Sequence, residues 1–268
     1  MSRPLEGTGI HGGRTSRVWL HRDPGPLRFR VRDTIIVADL SHVVATERCT
    51  VLGGGGARVA VVEHLLAACH ALGFWSQLLI EVDGDELPIL DGSAEPWAAA
   101  LGTLGSPPPP PAPWTVERAI RWRSGADGAA SEVDITPGAA ALEVSIAFEH
   151  PAIGRQRWHG EPADYRDLLP ARTFGFAHEL AALQARGLAE GARQGSGILF
   201  TDEGTSEPLR APDEPVRHKA LDAIGDLALL GRPLGGRVRI HRGSHLAHVS
   251  AMLQFLASHP PLRLDAEA

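Results

Sequence analysis

Two stretches of the sequence repeat each other, and this repeat constrains the fold more than any other feature. Val62-Glu63-His64 and Val216-Arg217-His218 each open an apolar run at helical spacing that ends near a Leu-Gly pair. Further downstream, each copy has a strand-like run and then a Gly-Ser pair before another helical pattern. In the first copy these are Leu78–Val82 and Gly92-Ser93, and in the second copy Val238–Ile240 and Gly243-Ser244. A repeat of this kind indicates duplicated structural units. We therefore predict two similar halves that pack face to face, with both histidines at the starts of equivalent helices.

The second copy also carries a pair of candidate metal ligands. His218 and Asp222 are four residues apart, so they lie on one stripe of a helix over 216–227, and Asp226 continues that stripe. A neutral imidazole and a carboxylate one turn apart can ligate one divalent ion, and Zn²⁺ suits this pair of donors. An isolated pair of this type is more often an ordinary surface ion pair. A third ligand must come from elsewhere, and convergence of the two halves would bring in His64.

Several further motifs occur in one order along nearly the whole chain. With the helix over 216–227, they are Gly7–Gly13, Val62–Leu65, Glu86–Ala94, His150–Ile153, Ala171–Phe176 and Gln184–Leu188. Together they resemble the UDP-3-O-acyl-N-acetylglucosamine deacetylases, zinc amidases of lipid A biosynthesis. The resemblance implies hydrolysis of the N-acetyl group of UDP-3-O-acyl-N-acetylglucosamine, with release of acetate.

The resemblance also implies a set of site residues. The metal ligands are His64, His218 and Asp222, and the ion is Zn²⁺, with Fe²⁺ as an alternative. Glu63 is the general base, and the other catalytic residues are Thr173, Lys219, Asp226 and His245. The expected substrate contacts are His11, Cys49 and Phe174, and the segment from Phe174 through Phe200 is expected to line a passage for the acyl chain.

Several of these residues also have an ordinary structural interpretation. Glu63 alone would be a solvated acid in the first turn of a helix, where the helix dipole favours it. Cys49 would be a small buried hydrophobe. A glycine-flanked His11 would be a loop residue. Lys219 and Asp226 would be helix-surface charges.

Two segments depart from the family pattern. Gly191–Gly197 replaces a Phe-Asp-Asn-like segment, and Leu246–Val249 stands where the family tends to have asparagines. These departures leave two alternatives open. One is a paralogous zinc deacetylase that acts on a different acetamido sugar or amide, and the other is a non-catalytic sugar-nucleotide-binding relative.

Length and a proline-rich stretch predict the domain organisation. The 268 residues are enough for two cores, and the segment 107–113 contains six prolines at mid-chain. We expect domains at 1–106 and 114–268, joined by this linker. The predicted fold is α+β, with two duplicated domains. Each is a mainly antiparallel sheet with helices on one face, and the active site lies between the helical layers.

Charge and cysteine content narrow the class of partner. A net charge of −6 gives no bulk electrostatic support for nucleic-acid binding, so the expected partner is a small-molecule substrate, an acylated UDP-sugar. Two cysteines and no signal-peptide pattern favour the cytoplasm. No apolar run is long enough to span a membrane, which leaves peripheral contact with the inner membrane open. The oligomeric state is also left open, with a monomer favoured.

Overall fold

The computed structural model describes residues 4–126 and 129–259. Within them the strands are β1 (Leu5–Thr8), β2 (Thr15–Pro26), β3 (Arg28–Val31), β4 (Thr34–Val37), β5 (Val43–Ala45), β6 (Val51–Gly54), β7 (Ala57–Ala60), β8 (Ser76–Asp83), β9 (Trp114–Thr115), β10 (Ile120–Ser124), β11 (Ser131–Thr136), β12 (Ala141–Ala147), β13 (Arg155–Gly160), β14 (Phe174–Phe176), β15 (Ile198–Thr201), β16 (Gly204–Thr205), β17 (Leu234–Gly235) and β18 (Arg237–His241). The α-helices are α1 (Glu63–Leu72), α2 (Glu95–Gly102), α3 (Ala177–Gln184), α4 (Glu214–Leu227) and α5 (His245–Ser258). Short 3₁₀ turns cover Leu40–His42, Pro162–Leu168 and Ala228–Leu230.

The two main sheets share one strand arrangement. The first has the order β1-β2-β8-β3-β4 and the second β10-β11-β18-β12-β13. In each sheet the third and fourth strands of this order run parallel, and the other neighbours are antiparallel. In each half, one helix precedes the strand that enters the sheet centre and another follows it: α1, β8 and α2, then α4, β18 and α5. The α+β prediction is confirmed, and this repeated order is what a duplication would produce.

Alternating sequence patterns bury one face of each sheet. In β12, Leu142, Val144 and Ile146 are buried, while the residues between them are only partly buried. Helices α4 and α5 cover this inner face. Most buried apolar side chains of the two halves join in one continuous cluster, because α1 packs against α4 between the sheets.

The contact between α1 and α4 is a close backbone approach at Gly225. A Cβ at this position would lie 2.1 Å from the carbonyl oxygen of Glu63, so glycine is required there. Two turns further along α1, Nδ1 of His70 donates to the carbonyl of Ile224 at 2.8 Å. This contact places the start of α1 beside the last turn of α4.

The predicted helix starts are only half correct. Helix α1 begins at Glu63, so His64 lies in its first turn as expected. Helix α4 begins earlier, at Glu214 with Pro215 in the first turn, where a fixed φ and a missing N–H favour helix initiation. His218 therefore lies in the second turn and not at the helix start.

Two three-stranded sheets and the two-stranded sheet of β9 and β17 add to the repeated units. Strands β5, β6 and β7 form one of the three-stranded sheets, and Gly55 and Gly56, both at positive φ, make the turn of the expected β6–β7 hairpin. Strands β14, β15 and β16 form the other, with α3 between β14 and β15. This β14–α3–β15 segment forms one wall of the cavity described below.

The domain boundaries stay a prediction. Residues 107–113 have no regular secondary structure and lie between α2 and β9, the position predicted for the linker. Residues 1–3, 127–128 and 260–268, which the predicted domains include, lie outside the described residues. Along the part of the chain that the structure describes, no helix combines the length and the apolarity needed to cross a membrane.

Candidate active site

Three predicted ligand side chains meet where α1 packs on α4. Oδ1 of Asp222 lies 3.3 Å from Nε2 of His218 and 3.7 Å from Nε2 of His64. The two imidazole rings are 5.1 Å apart between centroids and nearly perpendicular. One donor atom from each residue lies within 4.8 Å of the other two, and all three residues are buried. The arrangement has the size and the donor types of a site for one divalent metal ion.

The protonation of these side chains also suits a metal. Nδ1 of His218 donates to the carbonyl of Ala171 at 3.1 Å, which leaves the Nε2 lone pair facing Asp222. Burial lowers the pKa of His218, and burial together with the neighbouring His218 lowers the pKa of His64 to about 3. Both imidazoles are therefore neutral near pH 7. Although burial alone disfavours its charge, Asp222 has a pKa well below its usual range because His218 and Lys219 lie beside it.

Glu63 lies next to this cluster as the first residue of α1. Its Oε2 accepts the backbone N–H of Thr50 at 3.0 Å, and its Oε1 lies 3.8 Å from Nε2 of His245. Burial raises the pKa of Glu63 to about 7, and the nearby Asp222 and Asp226 carboxylates act in the same direction. A carboxylate with this pKa can exchange a proton near neutral pH.

His245 and Asp226 form a buried pair that faces Glu63. Nδ1 of His245 donates to Oδ2 of Asp226 at 2.8 Å. Burial alone would lower the pKa of His245, but the Asp226 and Glu63 carboxylates outweigh it and raise that pKa to about 9. Although burial alone would raise it, the contacts with His245 and His248 hold the pKa of the fully buried Asp226 at about 2. At neutral pH His245 is therefore a cation and Asp226 an anion.

Lys219, Thr173 and Phe174 border the same centre. Nζ of Lys219 lies 2.9 Å from Oδ2 of Asp222 and 5.7 Å from the centroid of the Phe174 ring. Phe174 begins β14 and Thr173 directly precedes it, and both line a cavity that also contacts Glu63 and His64. The backbone of Thr173 is fixed between Gly92 and Ile198 by two hydrogen bonds.

The cavity has a volume of about 550 Å³ and receives side chains from both halves. Its apolar lining includes Ile10, Val61, Ile89, Leu180, Leu183, Ile198 and Leu199. Arg48 and Glu179 form an ion pair across it at 3.1 Å. The predicted lining segment is thus largely in place, except that Phe200 is buried in the core and is not among the lining residues.

The expected substrate contacts differ in their positions. Phe174 and His11 line the cavity. Nδ1 of His11 is buried without a hydrogen-bond partner in the described structure, and burial lowers the pKa of His11. Cys49 is buried behind the cavity wall, packed with Val61 and Ile89, and is not itself a lining residue.

Three side chains of this region were not assigned a role from the sequence. Thr50 donates its hydroxyl to Asp226 at 2.6 Å, and Nδ1 of His248 donates to the same carboxylate at 2.8 Å. Glu86 fixes the loop at His11 by accepting the backbone N–H groups of His11 and Gly12, each at 2.7 Å. Glu86 lies within a family-like motif, and His248 follows His245 by three residues on one helix face. These two features were the only signals in the sequence that could have indicated a role for Glu86 or His248.

The fold and the site define a class of protein. A buried pair of histidines with an aspartate, a carboxylate beside them and an imidazole paired with a second aspartate are the parts of a metal-dependent amidase. The family model described as UDP-3-O-acyl N-acetylglycosamine deacetylase matches residues 2–257. The chain belongs to this family.

Relatives from several bacteria support the assignment. The chain is 37% identical over 265 residues to the UDP-3-O-acyl-N-acetylglucosamine deacetylase of Brucella melitensis biotype 2, covering 94% of this chain and 92% of the relative. It is 36% identical over 259 residues to the protein of the same name from Leptospira biflexa serovar Patoc, covering 92% and 84%. The protein of that name from Brucella ovis is 36% identical over 265 residues, with coverage of 94% and 92%.

Proposed function

We propose that this protein hydrolyses the N-acetyl group of UDP-3-O-acyl-N-acetylglucosamine and releases acetate, a step of lipid A biosynthesis. The observation that carries the proposal is the buried His64, His218 and Asp222 cluster, which adjoins a largely apolar cavity in a chain of the deacetylase family. The metal is proposed to be Zn²⁺, with Fe²⁺ as the alternative. Location in the cytoplasm stays a prediction.

The donor set supports a resident metal ion. Two neutral imidazoles and one ionised carboxylate converge, and the hydrogen bond from His218 to Ala171 fixes the tautomer that leaves Nε2 free. Three protein ligands are typical of catalytic zinc sites, which keep one position open. When bound, such an ion supplies Lewis acidity that polarises a carbonyl and makes water a better nucleophile.

Glu63 is proposed as the general base. Its carboxylate adjoins the cluster, and its Oε2 is anchored by the N–H of Thr50, so Oε1 is the atom that takes a proton from the attacking water. The raised pKa of Glu63 matches a base that works near neutral pH. Removal of the carboxylate charge should leave the metal bound and slow the reaction.

His245 is proposed as the acid and as a stabiliser of negative charge. Its Nδ1 is bonded to Asp226, so a proton on Nε2 faces Glu63 and the centre. This N–H can stabilise the developing oxyanion and then protonate the leaving amine. Asp226 orients the ring and keeps it cationic, the usual role of a carboxylate behind a catalytic histidine.

Thr173 and Lys219 complete the proposed set. Thr173 borders the cavity, and its hydroxyl is proposed to donate to the oxyanion. The ammonium of Lys219 supplies positive charge toward oxygens of the sugar or of a phosphate, besides its bond to Asp222.

The acyl chain of the substrate is proposed to lie in the cavity. Leu180, Leu183, Ile198 and Leu199 give it an apolar wall, with the Phe174 ring at the end near the metal ligands. A buried methylene contributes about 0.8 kcal/mol, so several carbons can outweigh the polar contacts to the sugar. His11 is proposed to contact the sugar nucleotide, and Cys49 only to support the wall.

Acetate release from two substrates tests this function. With zinc-loaded protein, UDP-3-O-acyl-N-acetylglucosamine should react far faster than the same sugar nucleotide without its acyl chain. Glu63→Gln should keep its metal and lose about 10²- to 10⁴-fold in turnover, as expected for a missing general base. Equal rates on both substrates would favour a paralogue with another amide substrate. No release from either substrate, with metal bound, would favour a non-catalytic relative.

A further inference from the structure

The carboxylate of Asp226 is shared by more donors than the proposed mechanism uses. It is fully buried and accepts three hydrogen bonds, one on Oδ1 and two on Oδ2. Thr50 donates to Oδ1 at 2.6 Å, while Nδ1 of His245 and Nδ1 of His248 both donate to Oδ2 at 2.8 Å. Of the three donors, His245 alone has a role in the proposed chemistry. The presence of the second imidazole therefore needs an explanation.

His248 is not placed to contact the substrate. It lies one turn after His245 on α5, is 4% exposed, and is not among the residues that line the cavity. Its Nε2 is buried without a hydrogen-bond partner among the described residues, and a Cβ on Gly243 would lie 2.6 Å from that atom. An unsatisfied buried nitrogen costs free energy that an apolar side chain of the same size would avoid. By contrast, Nδ1 of His248 is satisfied by its hydrogen bond to Asp226.

A second metal site formed by Asp226, His245 and His248 is a weaker explanation. The three groups offer donor atoms within 4.8 Å of one another. However, both Nδ1 atoms already donate hydrogen bonds to the carboxylate. A nitrogen that carries a proton toward Asp226 has no lone pair for a metal.

We propose that His248 is a positioning residue for His245, which it serves by sharing Oδ2 of Asp226 and so fixing both the carboxylate and the strength of its bond to His245. The inference rests on the acid role proposed for His245. Two donors on one oxygen divide its charge between them. Without His248, the carboxylate would bond His245 more strongly and would hold its proton more tightly.

The other groups that face His245 do not depend on His248. The carboxylates that stabilise its cation are Asp226, Glu63 and Asp222. The imidazoles that interact with it across the site are His11, His64 and His218. All of these lie on other elements than α5, so a change at position 248 leaves them in place. It alters one hydrogen bond of Asp226 and the edge contact between the His245 and His248 rings, whose centroids are 6.3 Å apart.

Two variants of similar shape separate the effect of losing the hydrogen-bond donor from the effect of changing the volume of the side chain. In His248→Asn the amide nitrogen is the same number of bonds from Cβ as Nδ1, so it can donate to Asp226. In His248→Leu the shape is close to that of asparagine and the donor is lost. His248→Met, whose side chain has no hydrogen-bond donor, serves as the donor-free variant if the leucine variant does not fold. His159→Leu, at an exposed histidine on β13, is the control.

The first measurement is the pH dependence of kcat/KM for acetate release by zinc-loaded protein. His248→Leu should move the alkaline limb up by about one pH unit, a tenfold change in the proton affinity of His245. Its KM should stay within about twofold, because His248 does not line the cavity. The His248→Asn and His159→Leu profiles should match that of the unaltered protein. An unchanged profile for His248→Leu, or an equal shift for His248→Asn, would overturn the proposal.

The second measurement does not depend on activity. Titration of ¹⁵N-histidine-labelled protein by NMR reports the pKa of His245 directly, and it should rise in His248→Leu but not in His248→Asn. The zinc content should be the same in all variants, and loss of a second equivalent of metal would favour the metal-site explanation instead. If the unaltered protein released no acetate but the NMR shift were observed, the proposed function would fail while the positioning role would stand.

Discussion

Nε2 of His245 lies 3.8 Å from Oε1 of Glu63, although the two residues belong to different halves of the repeat. Both side chains are buried, and each shifts the pKa of the other toward the charged form of the pair. Glu63 is the first residue of α1 and His245 the first residue of α5. The proposed base and acid are thus positioned by two helix starts, which the contact of α1 and α4 at Gly225 helps to bring together.

The pH dependence of kcat/KM should be bell-shaped. Glu63 acts as a base only when ionised, so the rate should rise as pH increases through its pKa of about 7. His245 acts as an acid only when protonated, so the rate should fall as pH increases through its pKa of about 9. A bound divalent cation favours the ionised form of Glu63 and would move the lower limb to more acidic pH.

Steady-state rates of acetate release across pH 5 to 10 test this profile, with buffers matched for ionic strength. The pH profile of the residual activity should lack the alkaline limb in His245→Ala and the acidic limb in Glu63→Gln. A descending limb that persists in His245→Ala would assign it to another group.

Metal binding should depend on each of the three clustered side chains. His64→Ala or Asp222→Ala removes one of three protein ligands and should strip most of the bound zinc. His159→Ala is the control, since this histidine is exposed on β13 and is not one of the clustered side chains. Elemental analysis after gel filtration measures the molar ratio of zinc to protein. Full occupancy in either alanine variant would remove that residue from the ligand set.

Gly225→Ala should disrupt the contact between α1 and α4. The added methyl group would lie 2.1 Å from the backbone oxygen of Glu63, which cannot rotate away. The helices would have to separate, at a cost of about 1–3 kcal/mol typical of overpacking, and Glu63 and His64 would shift with α1. Unfolding in urea measures the loss of stability, and the zinc content reports the shift of His64.

Gly102→Ala provides the control for Gly225→Ala. Gly102 ends α2, and a Cβ there has nothing within 4 Å. The same substitution should therefore leave stability unchanged or raise it by about 0.5–1 kcal/mol. Equal effects on stability at the two positions would mean that the close backbone approach of α1 and α4 at Gly225 does not require glycine.

Local periodicity and the duplication predicted much of this architecture. Helix α1 follows from apolar spacing, and the second helix of each half from the Gly-Ser pair before it. Ser244 caps α5 by accepting from the N–H of Ala247, whereas α2 begins after Ala94 without a side-chain cap. Resemblance to the family predicted which side chains should meet, and the structure brings His64, His218 and Asp222 together. Their roles stay predictions until metal and turnover are measured.

Contacts between distant segments could not be predicted from local pattern. Glu86 binds the backbone at His11, 75 residues away, and nothing in the spacing of either motif indicates that contact. Likewise, the spacing of His245 and His248 places both on one face of α5, but the carboxylate they share is set by how α5 packs on α4. The start of α4 was misplaced because Pro215 and the residues before His218 carry no apolar repeat.

The buried ion pair of Arg172 and Glu214 should be a main support of the metal centre. Glu214 is 1% exposed at the start of α4, and both its oxygens accept from the guanidinium, Oε1 from Nε at 2.9 Å and Oε2 from Nη2 at 3.1 Å. The adjacent Ala171 carbonyl orients His218. Arg172→Met should therefore cost about 3–5 kcal/mol, because it leaves a buried carboxylate without its cation, and it should also weaken zinc binding.

Urea unfolding of three variants checks this prediction. Arg121→Met breaks an ion pair with Asp134 in which the arginine side chain is 80% exposed, and it should change stability by no more than about 1 kcal/mol. The double variant Arg172→Met with Glu214→Leu replaces both charges by apolar groups and should recover much of the lost stability, because no uncompensated charge is left. If Arg172→Met were no more destabilising than Arg121→Met, Glu214 would be supported by its backbone donors, the N–H groups of residues 172 and 210, and not by the guanidinium.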